Sequence, residues 1–190
     1  MSQKFAAYDA SGAITGFYDS DASPVPQGVQ AIAITDAEWM AALMTPGYTV
    51  ASGALTPPPA PTSAQLLAAA QTAQIATLTS ACQAAILGGF TSSALGAPHT
   101  YPMTIKDQVN LSGSVTASLM PGLPTGWTTP FWVADASGNW SMAQHTATQI
   151  QQAGADGKAW VVTCQEKLVT LTAQVIAATT VAAVQAIVWG

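Results

Sequence analysis

The sequence predicts an α+β fold: a small β-hairpin and helix module, a proline hinge, and then two long helices that bracket a loop-rich β-hairpin region. Three observations lead to this fold class. Short aromatic segments flank Asp–Gly turn sequences, as is typical of hairpins. The run from Pro57 to Pro61 cannot continue a helix or a central strand. Two long stretches rich in alanine, glutamine and leucine have the composition of helices.

The N-terminal module, residues 1–56, is expected to contain several short strands. Lys4–Tyr8 and Ile14–Tyr18 bear aromatic residues and lie on either side of Asp9–Gly12, a turn sequence that starts with Asp and ends with Gly. These two segments therefore predict a hairpin. Val29–Ile34 alternates imperfectly between apolar and polar residues and predicts a further strand.

A short helix is predicted in the same module, from Asp36 to about Leu43. Thr35 and Glu38 have the spacing of a capping box, in which a hydroxyl and a carboxylate satisfy free N–H groups at the start of a helix. A Pro–Gly pair ends the helix, and a second small hairpin over residues 48–56 follows. The hinge then occupies residues 57–61.

The C-terminal domain, residues 62–190, is predicted to open and close with a long helix. The first helix covers Thr62–Leu87, after which a Gly–Gly pair stops it. Residues 90–130 are rich in Gly, Pro, Ser and Thr and are expected to be irregular apart from a helix over 106–119. A hairpin over 131–142 again turns on an Asp-Ala-Ser-Gly tetrapeptide.

The last helix is predicted to begin near Thr146, to break or kink at Gly154–Gly157 and to continue to Trp189. Residues 168–190 are uncharged and long enough to cross a bilayer. Their alanines are nearly neutral for membrane insertion, and their threonines, their glutamines and the lack of a basic anchor argue against a span. We therefore expect this helix to be buried against protein, with no membrane insertion.

The chain carries very little charge. Only 13 of its 190 residues are charged, arginine is absent, and the net charge is −5. Nucleic-acid binding requires Lys and Arg to neutralise phosphates, so this class of function is excluded, and phosphoryl transfer is not expected. Because soluble monomers usually carry surface charges of both signs, the sequence predicts that other chains cover much of this surface, as in a homo-oligomer.

Apolar residues recur at helical spacing on both long helices and form the predicted association surface. The two stretches, 62–87 and 168–189, contain no charged residue. Small residues along them allow helices to approach closely. The residues expected to contact other chains are Ile75, Leu78, Cys82, Ile86, Leu168, Leu171, Val175, Ile176 and Ile187.

No catalytic or metal-binding motif stands out. His99, His145, Cys82 and Cys164 have none of the spacings of a zinc site. A nucleophilic Cys–His–Asp site that includes Asp107 has suitable residue types, but both cysteines lie in apolar helical runs, where a thiol is inert. The sequence therefore predicts no metal, no cofactor and no enzymatic activity, with a small hydrolase as a weaker alternative.

One region concentrates polar and aromatic side chains. These side chains either converge on a partner or ligand, or form an internal network, and we expect the network because buried polar groups need partners. Its clustered tryptophans either stack on a sugar face or belong to the core of a loop-rich domain. The candidate patch comprises His99, Tyr101, Asp107, Gln108, Trp127, Trp132, Trp140 and His145.

Several of these segments resemble bacteriophage tail proteins. The N-terminal module resembles that of tail-fibre assembly proteins in its two opening strands, in Pro24–Pro26 and in Ile34–Trp39, which leads into an acidic Glu-Trp helix. The rest resembles an uncharacterised phage domain found in tail-fibre and baseplate-region proteins. Its matching segments are 89–96, 99–102, 107–111, 131–140 and 145–149.

The resemblance implies a phage tail protein that associates with a trimeric fibre. Such a protein acts as a chaperone of fibre assembly, as a structural subunit of the mature tail, or as both. Its expected location is the virion tail, or the cytoplasm of the bacterial host during assembly. The resemblance brings no catalytic residues with it. A receptor-binding tip subunit, whose tryptophan-rich region contacts a host surface glycan, is the alternative.

Overall fold

A computed structural model describes residues 2–190 of the chain. Within these residues it contains five helices and three small sheets, with 44% helix and 23% strand, which confirms the predicted α+β class. The chain divides into two compact units between Thr62 and Ser63. No helix within residues 2–190 combines the length and the hydropathy that a membrane span requires.

The N-terminal unit contains a three-stranded antiparallel sheet in the order β2–β1–β3. Its strands are β1 (Lys4–Tyr8), β2 (Ile14–Asp19) and β3 (Ala31–Ile34). The predicted turn joins β1 to β2, because the Asp9 carboxylate accepts hydrogen bonds from backbone N–H groups two and four residues later. Strand β3 starts two residues later than predicted.

Helix α1 (Asp36–Met44) begins at the predicted capping box. The Glu38 N–H donates to the Thr35 hydroxyl oxygen at 3.1 Å, and the Thr35 N–H donates to the Glu38 carboxylate at 2.7 Å. These reciprocal bonds fix the start of the helix. The predicted second hairpin follows as β4 (Thr49–Ala51) and β5 (Ala54–Thr56).

The C-terminal unit contains four of the helices, which pack in two groups. They are α2 (Ser63–Leu87), α3 (Ile105–Ser118), α4 (Ala147–Ala177) and α5 (Val181–Gln185). Helix α2 packs along α4 and contacts α5, while α3 packs on another part of α4. The bounds of α2 and α3 differ from the predicted ones by one residue at most.

The sheet of this unit is antiparallel, with the strand order β6–β7–β8–β9. Its strands are β6 (Phe90–Ser92), β7 (His99–Tyr101), β8 (Thr128–Ala134) and β9 (Trp140–Thr146). The predicted hairpin is present and is longer than predicted at both ends. Strands β6 and β7 lie in the region predicted to be irregular. They were not predicted because three-residue strands show too little alternation to be recognised.

The predicted break in the last helix is wrong, since α4 continues through Gly154 and Gly157. Both glycines permit close packing. A Cβ atom on Gly154 would lie 2.6 Å from the Val115 side chain, and one on Gly157 would lie 3.0 Å from the Phe90 ring. The glycines therefore let α3 and β6 approach α4, at a cost of about 1 kcal/mol each in helix propensity.

The predicted continuation of this helix to Trp189 is also wrong. Helix α4 ends at Ala177, the chain becomes extended, and the Thr180 hydroxyl accepts a hydrogen bond from the Ala183 N–H at 3.1 Å at the start of α5. This change of direction brings the buried Val184 against α2 and α4. A continuous helix would have carried Val184 away from that contact.

Two hydrophobic clusters stabilise the C-terminal unit. The first includes Tyr101 and Ile150 and lies where the sheet, α3 and α4 meet. The second lies where α2, α4 and α5 meet and consists of Leu78, Val175 and Val184, which we call the helical cluster. Full burial of an aliphatic side chain is worth about 1.5–3 kcal/mol, so each cluster contributes substantially to folding.

Candidate functional site

The predicted patch does not form a single site, because two of its members are completely buried. Tyr101 and His145 both have 0% exposure. The Tyr101 hydroxyl lies 2.8 Å from His145 Nε2, and His145 Nδ1 lies 3.0 Å from the carbonyl oxygen of Ala143. Since a carbonyl only accepts, Nδ1 carries the proton, and in the neutral ring Nε2 accepts from the tyrosine.

The surroundings keep both groups of this pair uncharged. Burial raises the pKa of Tyr101 to about 12, with a smaller contribution from the negative charge of Asp156. Burial also lowers the pKa of His145, against the opposing effect of its hydrogen bond to Ala143. The Tyr101 ring stacks on Phe90, with 5.2 Å between ring centroids. The pair is therefore an internal hydrogen bond of the core.

Three other members of the predicted patch stabilise local backbone. His99 Nδ1 lies 2.8 Å from the carbonyl oxygen of Ala97. The Asp107 carboxylate forms the capping box of α3 with Thr104. The Gln108 amide donates to the carbonyl oxygen of the buried Met103 at 3.0 Å. Each side chain bonds within its own neighbourhood, so His99, Asp107 and Gln108 do not converge on a common ligand position.

Two of the three predicted tryptophans lie on the open face of the sheet. Trp132 and Trp140 are each 50% exposed, whereas Trp127 is partly buried against the first cluster. Trp132 pairs with Met142 in the β8–β9 register, so Trp140, two residues before Met142, is its diagonal neighbour. The two indole rings therefore share one surface.

Alternation along the strands separates this surface from the core. On β8, Phe131 and Val133 are buried on the inner face. Trp132, which lies between them, points outward together with its cross-strand partner Met142, and we call this outer surface the tryptophan face. It comprises Pro130, Trp132, Trp140, Met142 and Gln144. Met142 was not among the predicted patch residues, although its position two residues after Trp140 on one strand was a usable signal.

A groove of about 540 Å³ lies beside the tryptophan face, between the hairpin and α3. Trp132 and Met142 line it from the strands. From α3 it is lined by Asp107, Val109, Asn110, Gly113, Ser114 and Ala117. Trp132 and Asp107, two members of the predicted patch, are thus brought to the same groove.

The predicted association residues are mostly used inside the C-terminal unit. Leu78, Cys82 and Val175 are at most 3% exposed, so they are unavailable to another chain in this structure. Ile176, in contrast, is 65% exposed. Four others pack against the helical cluster while partly buried: Ile75, Leu168, Leu171 and Ile187. Ile86 packs against the first cluster.

Gln71 and Gln74 hold the C-terminal segment on α2. Neither was among the predicted site residues. The Gln71 amide nitrogen lies 3.2 Å from the carbonyl oxygens of Val175 and Ala178, at the end of α4. The Gln74 amide donates to the carbonyl oxygen of Ile187 at 2.6 Å. Carbonyls at a helix end lack partners within the helix, and these side chains supply them. Glutamines spaced along a helix that carries no charged residue were the available signal.

The buried cysteines face one another across α2 and α4. The Cys82 thiol lies 3.5 Å from the carbonyl oxygen of Cys164. Burial raises the pKa of Cys164, which disfavours the reactive thiolate. Among residues 2–190, no group of three or more His, Cys, Asp or Glu side chains is placed to hold a metal ion.

The N-terminal unit exposes an apolar face of its own on α1. Trp39 lies on the inner side of the helix, 5.5 Å from the Phe17 ring. Met40, Leu43 and Met44 are 57%, 52% and 78% exposed. Leu43 and Met44 follow Met40 by three and four residues, so the three side chains share one side of the helix. We call these three residues the α1 face.

Comparison with known proteins identifies a family for the C-terminal unit. The family described as "Domain of unknown function (DUF4376)" matches residues 69–188, which lie entirely within the C-terminal unit. No curated protein and no solved structure matches the chain.

Proposed function

The chain belongs to the DUF4376 family, and from the resemblance of its segments to phage tail proteins we propose that it is a bacteriophage tail-fibre-associated protein without enzymatic activity. It acts as a fibre assembly chaperone, as a structural tail subunit, or as both. Its partner is the tail-fibre protein, and it works on the virion tail or in the host cytoplasm during assembly. The family match lies in the C-terminal unit, and we assign the fibre contact to the N-terminal unit because that unit resembles fibre assembly proteins.

The observation that carries this proposal is the exposure of the α1 face. Three large apolar side chains are exposed on a nine-residue helix that is held in place by the contact of Trp39 with Phe17. Methionine suits a surface that must fit an irregular partner, because its side chain is flexible and polarizable. Exposed apolar patches of this kind mark interaction sites more often than isolated exposed residues do.

The low charge of the chain supports the same proposal. The N-terminal unit carries one lysine and five acids, and none of these charges belongs to the α1 face. A partner that covers Met40, Leu43 and Met44 would desolvate no charge on these three side chains, although Asp36, four residues before Met40, is an acid on the same side of the helix. The resemblance of this unit to fibre assembly proteins supports the fibre as the partner.

The experiment is co-expression with the tail-fibre protein encoded nearest to this chain. We expect the fibre to form soluble, detergent-resistant trimers in its presence and to aggregate in its absence. The double variant Met40→Glu/Met44→Glu should abolish this rescue, because it places two charges in the contact. The control variant Val169→Glu alters a side chain that is 70% exposed on α4 and should rescue fully.

Two results would overturn the proposal. The first is a fibre that folds and trimerises equally well without this chain. The second is a fibre that is rescued as well by the Met40→Glu/Met44→Glu variant as by the wild type, with circular dichroism showing that the variant is folded.

A further inference from the structure

We infer that the tryptophan face and the adjoining groove form a binding site for a neutral glycan. The inference goes beyond the proposed function, because a fibre contact through α1 requires no sugar site in the C-terminal unit. It rests on three properties of that surface: the two indole rings, the polar groups beside them, and the absence of positive charge.

The indole rings give the site its apolar platform. Trp132 and Trp140 are diagonal neighbours on one sheet face and are half-exposed, although tryptophan is a residue that proteins usually bury deeply. The C–H face of a pyranose ring is flat and apolar and is complementary to an indole face. Two rings on adjacent strands can hold two successive sugar units, and a rigid sheet keeps them in place.

Polar side chains lie beside the indole rings. Asp107 and Asn110 line the groove with Trp132, and the capping-box bonds of Asp107 use Oδ2. Gln144, on the tryptophan face, accepts from the Thr128 hydroxyl at 3.0 Å, and this bond leaves its amide N–H groups as donors. A carboxylate and two amides supply both acceptors and donors, and a few polar groups on a largely apolar lining are typical of small-ligand sites.

The charge of the lining selects the class of glycan. Asp107 is the one charged residue among those that line the groove, and it is negative. The chain has no arginine, and its net charge is −5, so nothing at the groove offers the bidentate clamp that anionic ligands prefer. Uronic acids, sialic acids and phosphorylated sugars are therefore disfavoured relative to neutral hexoses and N-acetylhexosamines.

The space at Gly113 provides a test that does not depend on removing a tryptophan. Gly113 lines the groove, and a Cβ atom there would meet no atom within 4 Å. Leucine at this helical position would fill the groove while it raises helix propensity by about 0.8–1 kcal/mol. The Gly113→Leu variant should therefore fold at least as well as the wild type and still lose the site.

The experiment uses the full chain and two panels of oligosaccharides. One contains neutral oligosaccharides of glucose, galactose, mannose and N-acetylglucosamine, and the other contains sialylated and uronate oligosaccharides of similar size. Array binding followed by isothermal titration calorimetry should detect at least one neutral ligand. Trp132→Ala, Trp140→Ala and Gly113→Leu should each weaken its binding by about tenfold or more, which corresponds to about 1.4 kcal/mol. Val169→Ala should leave binding unchanged.

Each other outcome counts against the site. Silence of both panels overturns the inference, and binding confined to the anionic panel overturns the neutral assignment. Binding that withstands both Trp132→Ala and Gly113→Leu in folded variants places the sugar elsewhere. Because the fibre experiment depends on Met40 and Met44, failure of one proposal is distinguishable from failure of the other.

Discussion

The helical end of the C-terminal unit and the open face of its sheet are both uncharged and rich in apolar residues, yet the fold treats them in opposite ways. Leu78, Val175 and Val184 are at most 1% exposed, because α2, α4 and α5 cover one another. Trp132 and Trp140, on the outer face of the sheet, remain half-exposed, whereas α4 packs on the inner face. Both regions are thus apolar, and what differs is how far the fold covers their side chains.

The largest expected effect on stability comes from a substitution in the helical cluster. Leu78→Ala should lower the free energy of unfolding by about 2–5 kcal/mol, because it leaves a cavity between three helices. Leu66→Ala, on the same helix at a position that is 51% exposed, should change it by less than about 0.5 kcal/mol. Urea denaturation of both variants measures the difference, and equal losses would show that Leu78 is not a core residue.

The glycines of the helices test packing on a finer scale. Gly154→Ala should destabilise the unit, because its Cβ would lie 2.6 Å from Val115, whose branched side chain has little freedom to move. Overpacking of this kind costs about 1–3 kcal/mol, which exceeds the gain in helix propensity. Gly113→Ala meets open space and should stabilise by about 0.5–1 kcal/mol. Thermal unfolding would distinguish the two, and a stabilised Gly154→Ala variant would contradict the close approach.

Acidification should reveal the buried His145. Its pKa in the folded protein is lowered by burial, so the unfolded chain, with a histidine pKa of about 6.5, takes up the proton more readily. Stability from this group is therefore complete above about pH 6.5 and is lost as the pH falls below it. Between pH 7 and pH 5 the free energy of unfolding should decrease less in His145→Gln than in the wild type. A His99→Gln variant is the control. If it flattened the pH profile as much as His145→Gln does, the assignment of the effect to His145 would be wrong.

The smallest expected effect on stability is at the tryptophan face. Trp132→Ala removes a half-exposed ring and one cross-strand pair, so it should cost about 0.2–1 kcal/mol. The same variant should lose sugar binding by about tenfold, so that stability and binding change independently. A loss of several kcal/mol in urea denaturation would instead make Trp132 part of the core.

The sequence was informative where local chemistry decides the structure. Capping-box spacing predicted the start of α1, and Asp–Gly turns predicted both hairpins that they close, because these signals act within four residues. The break at Gly154–Gly157 was wrongly predicted because the reason for the glycines lies in Val115 and Phe90, which are distant in sequence. The helix that stops at Ala177 was missed for a similar reason, since its end is decided by contacts of Val184 with α2.

The candidate site was only partly predictable. The aromatic and polar residues from His99 to His145 were identified as a group, but sequence alone does not show which strand face each one occupies. Side chains alternate between the two faces of β8 and β9. Trp132 is therefore exposed on one face, whereas His145 is fully buried on the other. The register of a hairpin, more than its composition, determined which residues became available to a ligand.

The bond between Gln74 and Ile187 has a consequence for synthesis on the ribosome. Its two ends are 113 residues apart, and the helical cluster likewise joins α2 to α5. At a translation rate of about 5–20 residues per second, α2 waits on the order of ten seconds after its own synthesis before its partners emerge. During this interval its uncharged, alanine-rich surface is uncovered inside a crowded cell, and the nascent chain is most exposed to aggregation or chaperone capture at that stage.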